Sequence, residues 1–304
     1  MLAVELENVT RRFGDFVAVD DISIGINRGE IFGFLGPNGS GKSTTIKMIC
    51  GILRPSEGKI HVLGHDTVRH RKSVVKSIGY MSQKFSLYPS LTVDENLRFY
   101  AGVYGIRGAA RRDKIQKLLE ENNLTRQRNR ISRELPVGWK QRLALSCSLL
   151  HEPEILFLDE PTGGVDPSSR RQFWDIIVRK AEQGATIFVT THYMDEAEYC
   201  DRIGLIYQGK LIALGAGDDL KRKAIPGAVY ELTLPDAISY MKTIGQGRGV
   251  QEVTVHGRAL HVTFDDKTHD PEAVLEQLVR DGAPIAESRK IAPSLEDVFV
   301  TLMK

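Results

Sequence analysis

The stretch Gly36-Pro37-Asn38-Gly39-Ser40-Gly41-Lys42-Ser43-Thr44 constrains this chain more than any other. It follows an apolar run, Ile31-Phe32-Gly33-Phe34-Leu35, which reads as a buried strand. It precedes Thr45-Ile46-Lys47-Met48-Ile49, predicted to continue as a helix that stops near Gly51. Strand, glycine loop and helix are the context in which GxxxxGK[ST] acts as a phosphate-binding P-loop. Glycines let successive backbone N–H groups turn inward as an anion nest, and the helix N-terminus adds its dipole. Lys42 is the point charge for the β- and γ-phosphates, and the Ser43 hydroxyl is placed for Mg2+. The loop predicts a site for a nucleoside triphosphate together with Mg2+.

Composition narrows the setting. With 41% hydrophobic and 26% charged residues, the 304-residue chain is ordinary globular material, long enough for two compact domains. A net charge of +2 gives no strong attraction to nucleic acid or anionic lipid. Cys50, Cys147 and Cys200 are far apart, lack metal-ligand spacing and read as small hydrophobes in a reducing compartment. The first residues lack the apolar core of a signal peptide, and no apolar run approaches the roughly 20 residues that cross a bilayer. The expected location is the cytoplasm, with peripheral attachment to a membrane protein left open.

Along the chain, Val4, Leu6, Ile22, Ile24 and Ile26 alternate with polar residues, as in an antiparallel sheet with one wet face. Between them, Phe13 is either a core aromatic or a flat face for an adenine ring. A strand over Ser77–Gln83 places Gln83 at its end, where the amide reaches a metal or its water. Thr92 and Glu95 form a capping box opening a helix through Tyr104, and a second helix covers Arg112–Asn122. Arg126, Arg128, Arg130 and Arg133 lack the interleaved aromatics of a nucleic-acid platform and read as a solvated surface. Leu143, Cys147 and Leu150 lie at helical spacing, and Pro153 ends that helix. The apolar run Ile155-Leu156-Phe157-Leu158 then ends in Asp159-Glu160. A carboxylate at such a strand end is where a P-loop enzyme holds Mg2+, and the second acid is free to orient or deprotonate water. His192 follows another apolar strand, Thr186–Thr191, on the carboxyl edge where ligands collect in such sheets. Beyond a hairpin ending near Gly215 the rhythm becomes strand–helix–strand–strand–helix–strand, the ferredoxin-like pattern, with a last helix from Ser294 to Met303.

The order of these pieces resembles the ATP-binding-cassette ATPases over roughly the first two-thirds of the chain. The resemblance implies an α/β fold. A P-loop NTPase cassette over 1–218 has a mixed sheet core, an antiparallel N-terminal sheet and a helical subdomain at about 88–150. A small α+β ferredoxin-like domain occupies 219–304. It further implies phosphate binding by residues 36–44, adenine stacking by Phe13, and Mg2+ held by Ser43 and Asp159 with a metal and water contact from Gln83. Glu160 would activate water, Asp166 couple a dimer and His192 sense the γ-phosphate. The signature departs from the family's Leu-Ser-Gly-Gly: here it is Leu135-Pro136-Val137-Gly138, which keeps Gly138 and the helix start as a backbone anion contact. Losing the serine's hydrogen bond to a charged group costs about 1.5–3 kcal/mol, or roughly ten- to a hundredfold in rate.

Trp139-Lys140-Gln141-Arg142-Leu143-Ala144-Leu145 and the ending Pro293-Ser294-Leu295-Glu296-Asp297-Val298-Phe299 resemble cassettes serving bacterial drug, sodium and polysaccharide exporters, closely the second cassette of a multidrug-efflux ATPase. That implies an ATP-hydrolysing subunit on the inner face of the membrane. Its partners would be membrane-spanning permease subunits, met near Phe85–Glu95, and a second cassette, identical or paralogous, but no nucleic acid. An alternative is an ATP-dependent clamp whose hydrolysis is weakened by Pro136 and Val137. For the C-terminal region, a stabilising or dimerising appendage is favoured over a small-molecule sensor.

Overall fold

The computed structural model describes residues 2–83, 86–265 and 268–303. The chain divides into two compact units, Met1–Leu214 and Gly215–Lys304. The first opens with β1 (Leu2–Phe13) and β2 (Phe16–Asn27), antiparallel partners whose register sets Leu6 against Ile24. Then come β3 (Ile31–Leu35), α1 (Lys42–Ile49), β4 (Glu57–Val62), the short β5 (His65–Asp66), α2 (Arg71–Ser77) and β6 (Ile78–Met81). Strands β1, β2, β4 and β5 form one sheet in the order β2-β1-β4-β5. Its inward residues Val4, Leu6, Ile22, Ile24 and Ile26 are buried, as the alternation predicts.

Three helices, α3 (Val93–Val103), α4 (Gly108–Glu121) and α5 (Val137–Leu149), make the helical subdomain. The predicted capping box is formed: the Glu95 amide donates to Thr92 Oγ1 at 3.2 Å, and the Thr92 amide donates to Glu95 Oε2 at 2.8 Å. Phe85, expected at the permease groove, lies outside the described residues.

The chain returns to the sheet through β7 (Ile155–Asp159), α6 (Pro167–Glu182), β8 (Thr186–Thr191), β9 (Arg202–Tyr207) and β10 (Lys210–Gly215). The central sheet has the order β10-β9-β3-β8-β7-β6, and β9, β3, β8, β7 and β6 run parallel. Positive φ at both Gln208 and Gly209 turns β9 back into β10 as a hairpin. Every residue of β3, β7 and β8 is buried, because both faces of the sheet are covered. Along β7, Ile155 and Phe157 join Phe32, Phe34 and Phe188 beneath the N-terminal sheet, while Leu156 and Leu158 join the helical side with Leu143, Leu145 and Trp174. Phe188 lies 5.6 Å from Phe32 and 5.7 Å from Phe157 between ring centroids, so truncating it to Ala would cost about 3–5 kcal/mol. This core fixes the carboxyl ends of β3, β7 and β8 side by side.

The second unit begins with α7 (Gly217–Ala224), followed by β11 (Ala228–Thr233), α8 (Ala237–Gly245), β12 (Val250–His256), β13 (Ala259–Phe264), α9 (Pro271–Arg280), β14 (Glu287–Ile291) and α10 (Leu295–Leu302). The sheet order is β12-β13-β11-β14 with antiparallel neighbours, the ferredoxin-like arrangement. Leu232, Leu260, Val262 and Phe264 meet Ile244 of α8 and Leu275 and Leu278 of α9 in its core. Asp270 caps α9 ahead of Pro271, and Ser294 and Asp297 form a second capping box at α10.

Candidate active site

The loop after β3 holds its shape because two of its glycines have no room for a side chain. A Cβ on Gly36 would stand 2.2 Å from the Ile206 carbonyl oxygen, and one on Gly41 2.5 Å from that of Ala18. Gly41 also takes φ 110°, in the left-handed region that favours glycine, and α1 starts directly from it. Ser40 is buried, and its Oγ has no hydrogen-bond partner among the described residues. That orphaned hydroxyl, the open glycine loop and the uncapped start of α1 suit an anion rather than a closed structural turn.

Lys42, at the first turn of α1, is 3% exposed. Its Nζ donates to the carbonyls of Gly36 at 2.7 Å and Pro37 at 3.0 Å, and it lies 3.2 Å from Glu160 Oε1. Burial lowers the Lys42 pKa, while the charge and hydrogen bond of Glu160 oppose that shift. Ser43 Oγ donates to Asp159 Oδ1 at 2.9 Å. Asp159 ends β7 and is 2% exposed. Burial raises its pKa; hydrogen bonds from Thr190 and Ser43 work against this, and the neighbouring Glu160 charge adds to it. An anionic oxygen and a hydroxyl meeting at the end of a P-loop helix form a hard-oxygen donor set that fits Mg2+.

Glu160 leaves the strand with φ 48°, an uncommon conformation for a residue other than glycine. Its amide donates to Thr190 Oγ1 at 3.0 Å, which holds the turn. The turn brings the carboxylate to the centre of the site. Gln83 Nε2 donates to Glu160 Oε2 at 3.0 Å. His192 Nδ1 lies 3.4 Å from the same oxygen, within ion-pair range but not aligned as a hydrogen bond. Lys42, Ser43, Gln83, Asp159, Glu160 and His192 are therefore one cluster, drawn from the ends of β3, β6, β7 and β8. A positive φ at a carboxylate contacted from three sides is an arrangement of the kind that clusters at functional sites.

Three further predicted residues stand apart. Among the described residues, no hydrogen bond or ion pair joins Phe13, Gly138 or Asp166 to this cluster. Phe13, at the tip of the β1–β2 hairpin, is 46% exposed, which removes the core-aromatic option. The Arg11 guanidinium stands 4.4 Å from its ring centroid. Gly138 lies in the first turn of α5, where a Cβ would stand 3.0 Å from Cβ of Ser169. Asp166 caps α6, accepting from the Ser169 amide at 2.9 Å, so Gly138 and Asp166 belong to one neighbouring patch. Pro136, at the cap position of α5, supplies no side-chain hydrogen bond to the helix start.

A model of the family described as "ABC transporter" matches residues 19–163, and "ATP-binding protein DrrA1-3-like, C-terminal domain" matches residues 215–303. The chain is 33% identical over 303 residues to the linearmycin resistance ATP-binding protein LnrL of Bacillus subtilis (strain 168), covering 98% of this chain and 97% of that one. The chain belongs to the ABC transporter ATP-binding family. A second relative of this cassette, named "Probable multidrug ABC transporter ATP-binding protein YbhF" in Escherichia coli (strain K12), is 57% identical over 221 residues. That match covers 73% of this chain, which spans 38% of the relative's length. Among solved structures, the "Dimeric structure of a post-hydrolysis state of the ATP-binding cassette MJ0796 bound to ADP and Pi" matches with a TM-score of 0.64 and 28% identity, over 70% of this chain and 98% of that one. The expected resemblance and fold class are thus both met.

One residue of the cassette's site was not anticipated. Thr190 donates to Asp159 Oδ1 at 2.8 Å while its oxygen accepts from the Glu160 amide at 3.0 Å, so a single hydroxyl orders both acids. Its signal was available: β8 is apolar at its centre yet ends in Thr190-Thr191, polar residues at a buried position beside the acidic strand end.

Proposed function

We propose that this cassette is the ATP-hydrolysing subunit of a bacterial exporter. The carrying observation is the gathering of Lys42, Gln83 and His192 on Glu160, beside the Ser43–Asp159 pair. The P-loop amides and Lys42 would hold the β- and γ-phosphates. Lys42 would exchange its carbonyl and Glu160 contacts for phosphate oxygens, which frees Glu160 for water. Ser43, Asp159 and Gln83 would hold Mg2+, which when bound neutralises charge on the phosphate oxygens. Glu160 takes a proton from the attacking water as its oxygen bonds to the γ-phosphorus. The bond from that phosphorus to the β-phosphate oxygen breaks, and ADP leaves with the electron pair. His192 would contact the γ-phosphate, and Phe13 would stack the adenine.

Gly138 and Asp166 lie away from this cluster, which supports a role across a cassette pair: each P-loop would face the partner's α5 start. The MJ0796 relative, by its title, forms a dimer with ADP and Pi bound. Membership of the ABC transporter family supports a membrane-spanning permease partner and a peripheral place on the inner face; among the described residues no helix is long and apolar enough to cross a membrane. Drug-class cargo rests on the names of the multidrug and linearmycin relatives. The acids, the glutamine and the histidine are all in place, and nothing in the site favours the clamp reading.

The test is Mg-ATPase activity of the full chain beside Glu160→Gln and Pro136→Ser. Wild type should turn over, Glu160→Gln should abolish turnover while keeping ATP binding, and Pro136→Ser should raise it about tenfold or more. A chain that binds ATP and shows no turnover sensitive to Glu160 would sink the proposal.

A further inference from the structure

We propose that Arg170 is a positioning residue for His192, joining the Asp166 loop to the histidine segment; this rests on the reading that His192 serves hydrolysis. Arg170 lies in the first turn of α6, and its amide donates to the Asp166 carbonyl at 2.9 Å. Its guanidinium stands 3.8 Å from the ring centroid of Tyr193, whose ring is 4.1 Å from that of His192. Arg170 also pairs with Asp195 at 3.2 Å and lies 3.7 Å from Glu196. Glu196 is 1% exposed and accepts from Thr162, two residues beyond Glu160. One turn further along α6, Trp174 stacks on Tyr199 at 4.8 Å and 10°. The spacing of 170 and 174 puts both grips on one helix face, so the segment Tyr193–Tyr199 rides on α6.

The polar part of this grip is incompletely paired. Arg170 Nε and Glu196 Oε2 are buried without a hydrogen-bond partner among the described residues, although the two side chains are ion-paired. Buried polar atoms left unpaired are costly, and a small shift of α6 against the segment would convert the 3.7 Å approach of Nε to Glu196 Oε1 into a hydrogen bond that satisfies Nε. Such a shift starts at Asp166 and ends at His192, because Arg170 is bonded to the first and stacked on the neighbour of the second. A lysine would keep the charge but lose the flat face that Tyr193 requires.

The experiment measures kcat, ATP affinity and thermal stability for Arg170→Gln, Arg170→Lys, Tyr193→Leu and Tyr193→Phe. Since Arg170→Gln strips Glu196 of its cation, Arg170→Gln with Glu196→Gln is the variant that guards against misfolding. Arg170→Gln and Tyr193→Leu should lower kcat about tenfold with ATP affinity unchanged. Tyr193→Phe, which keeps the ring face, should match wild type, and Arg170→Lys should fall between. On a His192→Ala background, Arg170→Gln should cause no further loss. Multiplicative losses in that double variant, or a change confined to ATP affinity, would overturn the coupling while leaving the role of His192 intact. Full turnover by His192→Ala alone would instead remove the reading of the histidine, and this inference with it.

Discussion

Two acids buried to the same degree lie in different surroundings. Asp159 in the first unit is 2% exposed and Asp297 in the second is 3% exposed. Burial raises the pKa of each. At Asp297 the opposition wins: the Ser294 hydroxyl and amide donate at 2.7 and 2.8 Å, His261 Nδ1 lies at 3.1 Å, and the carboxyl is held below its ordinary value. At Asp159 two hydroxyl donors do not offset burial and the adjacent Glu160, so the carboxyl stays above it. Asp297 completes a helix cap and a buried network. Asp159 keeps unmet negative character in a place where a cation is expected. Depth of burial alone does not separate structure from function; the balance of donors around the acid does.

The largest expected break in this comparison is in turnover. Asp159→Asn should lower ATPase activity by about a hundredfold or more, since metal stabilisation of a transferring phosphoryl group is worth several kcal/mol. The same change removes a charge that burial disfavours, so the nucleotide-free protein should melt no lower than wild type, and scanning calorimetry checks this. A clear fall in melting temperature for Asp159→Asn would show that the two acids are alike after all. Asp297→Ala should do the reverse. It strips His261 and the start of α10 of their acceptor and should cost about 3 kcal/mol, read as faster amide exchange in β11 and β13. Activity at saturating ATP is then the control that separates local from global damage.

Much of the candidate site was legible because its polar residues sit at ends of strands that must be buried. The P-loop, Asp159 and Glu160 were visible as polar residues interrupting apolar runs. His192 and Gln83 followed from the same sheet-edge logic. The capping boxes at Thr92 and Ser294 were legible because they are written in adjacent residues. Helices α2 and α7 were not: each buries a single residue, Val74 and Leu220, so neither carries an apolar period. Thr190 was missed because its role depends on the β7–β8 register, a pairing between strands about 30 residues apart that local pattern does not encode. The contact of Arg170 with Tyr193 is similarly a product of packing, not of spacing.

A smaller effect sharpens the contrast through the metal itself. Mg2+ at about a hundred times its dissociation constant would stabilise a folded site by about 2.7 kcal/mol, and less at lower excess. Wild type should therefore melt higher in Mg2+ with a nonhydrolysable ATP analogue than with the analogue alone, and Asp159→Asn should lose that increment. Asp297→Ala should retain it, since its defect lies in the other unit. Equal increments in all three proteins would mean that the ion acts through the nucleotide or the surface rather than through Asp159.

The last test uses protons instead of a metal. The folded-state pKa of Asp297 is depressed, so its contribution is present above the ordinary carboxylate range and is lost as pH falls through the folded value. Protonation takes the charge from the acceptor shared by Ser294, His261 and Thr254, whose hydroxyl donates to the same carboxylate at 3.0 Å, and so weakens bonds that depend on that charge. From neutral pH down to the ordinary carboxylate range the second unit should hold its exchange protection, because the folded carboxyl titrates below that range. Below that, protection of β11 and β13 should fall with pH in wild type and fall less in Asp297→Asn, which has no proton to gain. Trp139 and Trp174 both lie in the first unit, so tryptophan fluorescence followed in parallel reports that unit's own acid response. An acid transition in β11 and β13 that is unchanged by Asp297→Asn would assign the loss to other carboxylates and take from Asp297 the place given to it here.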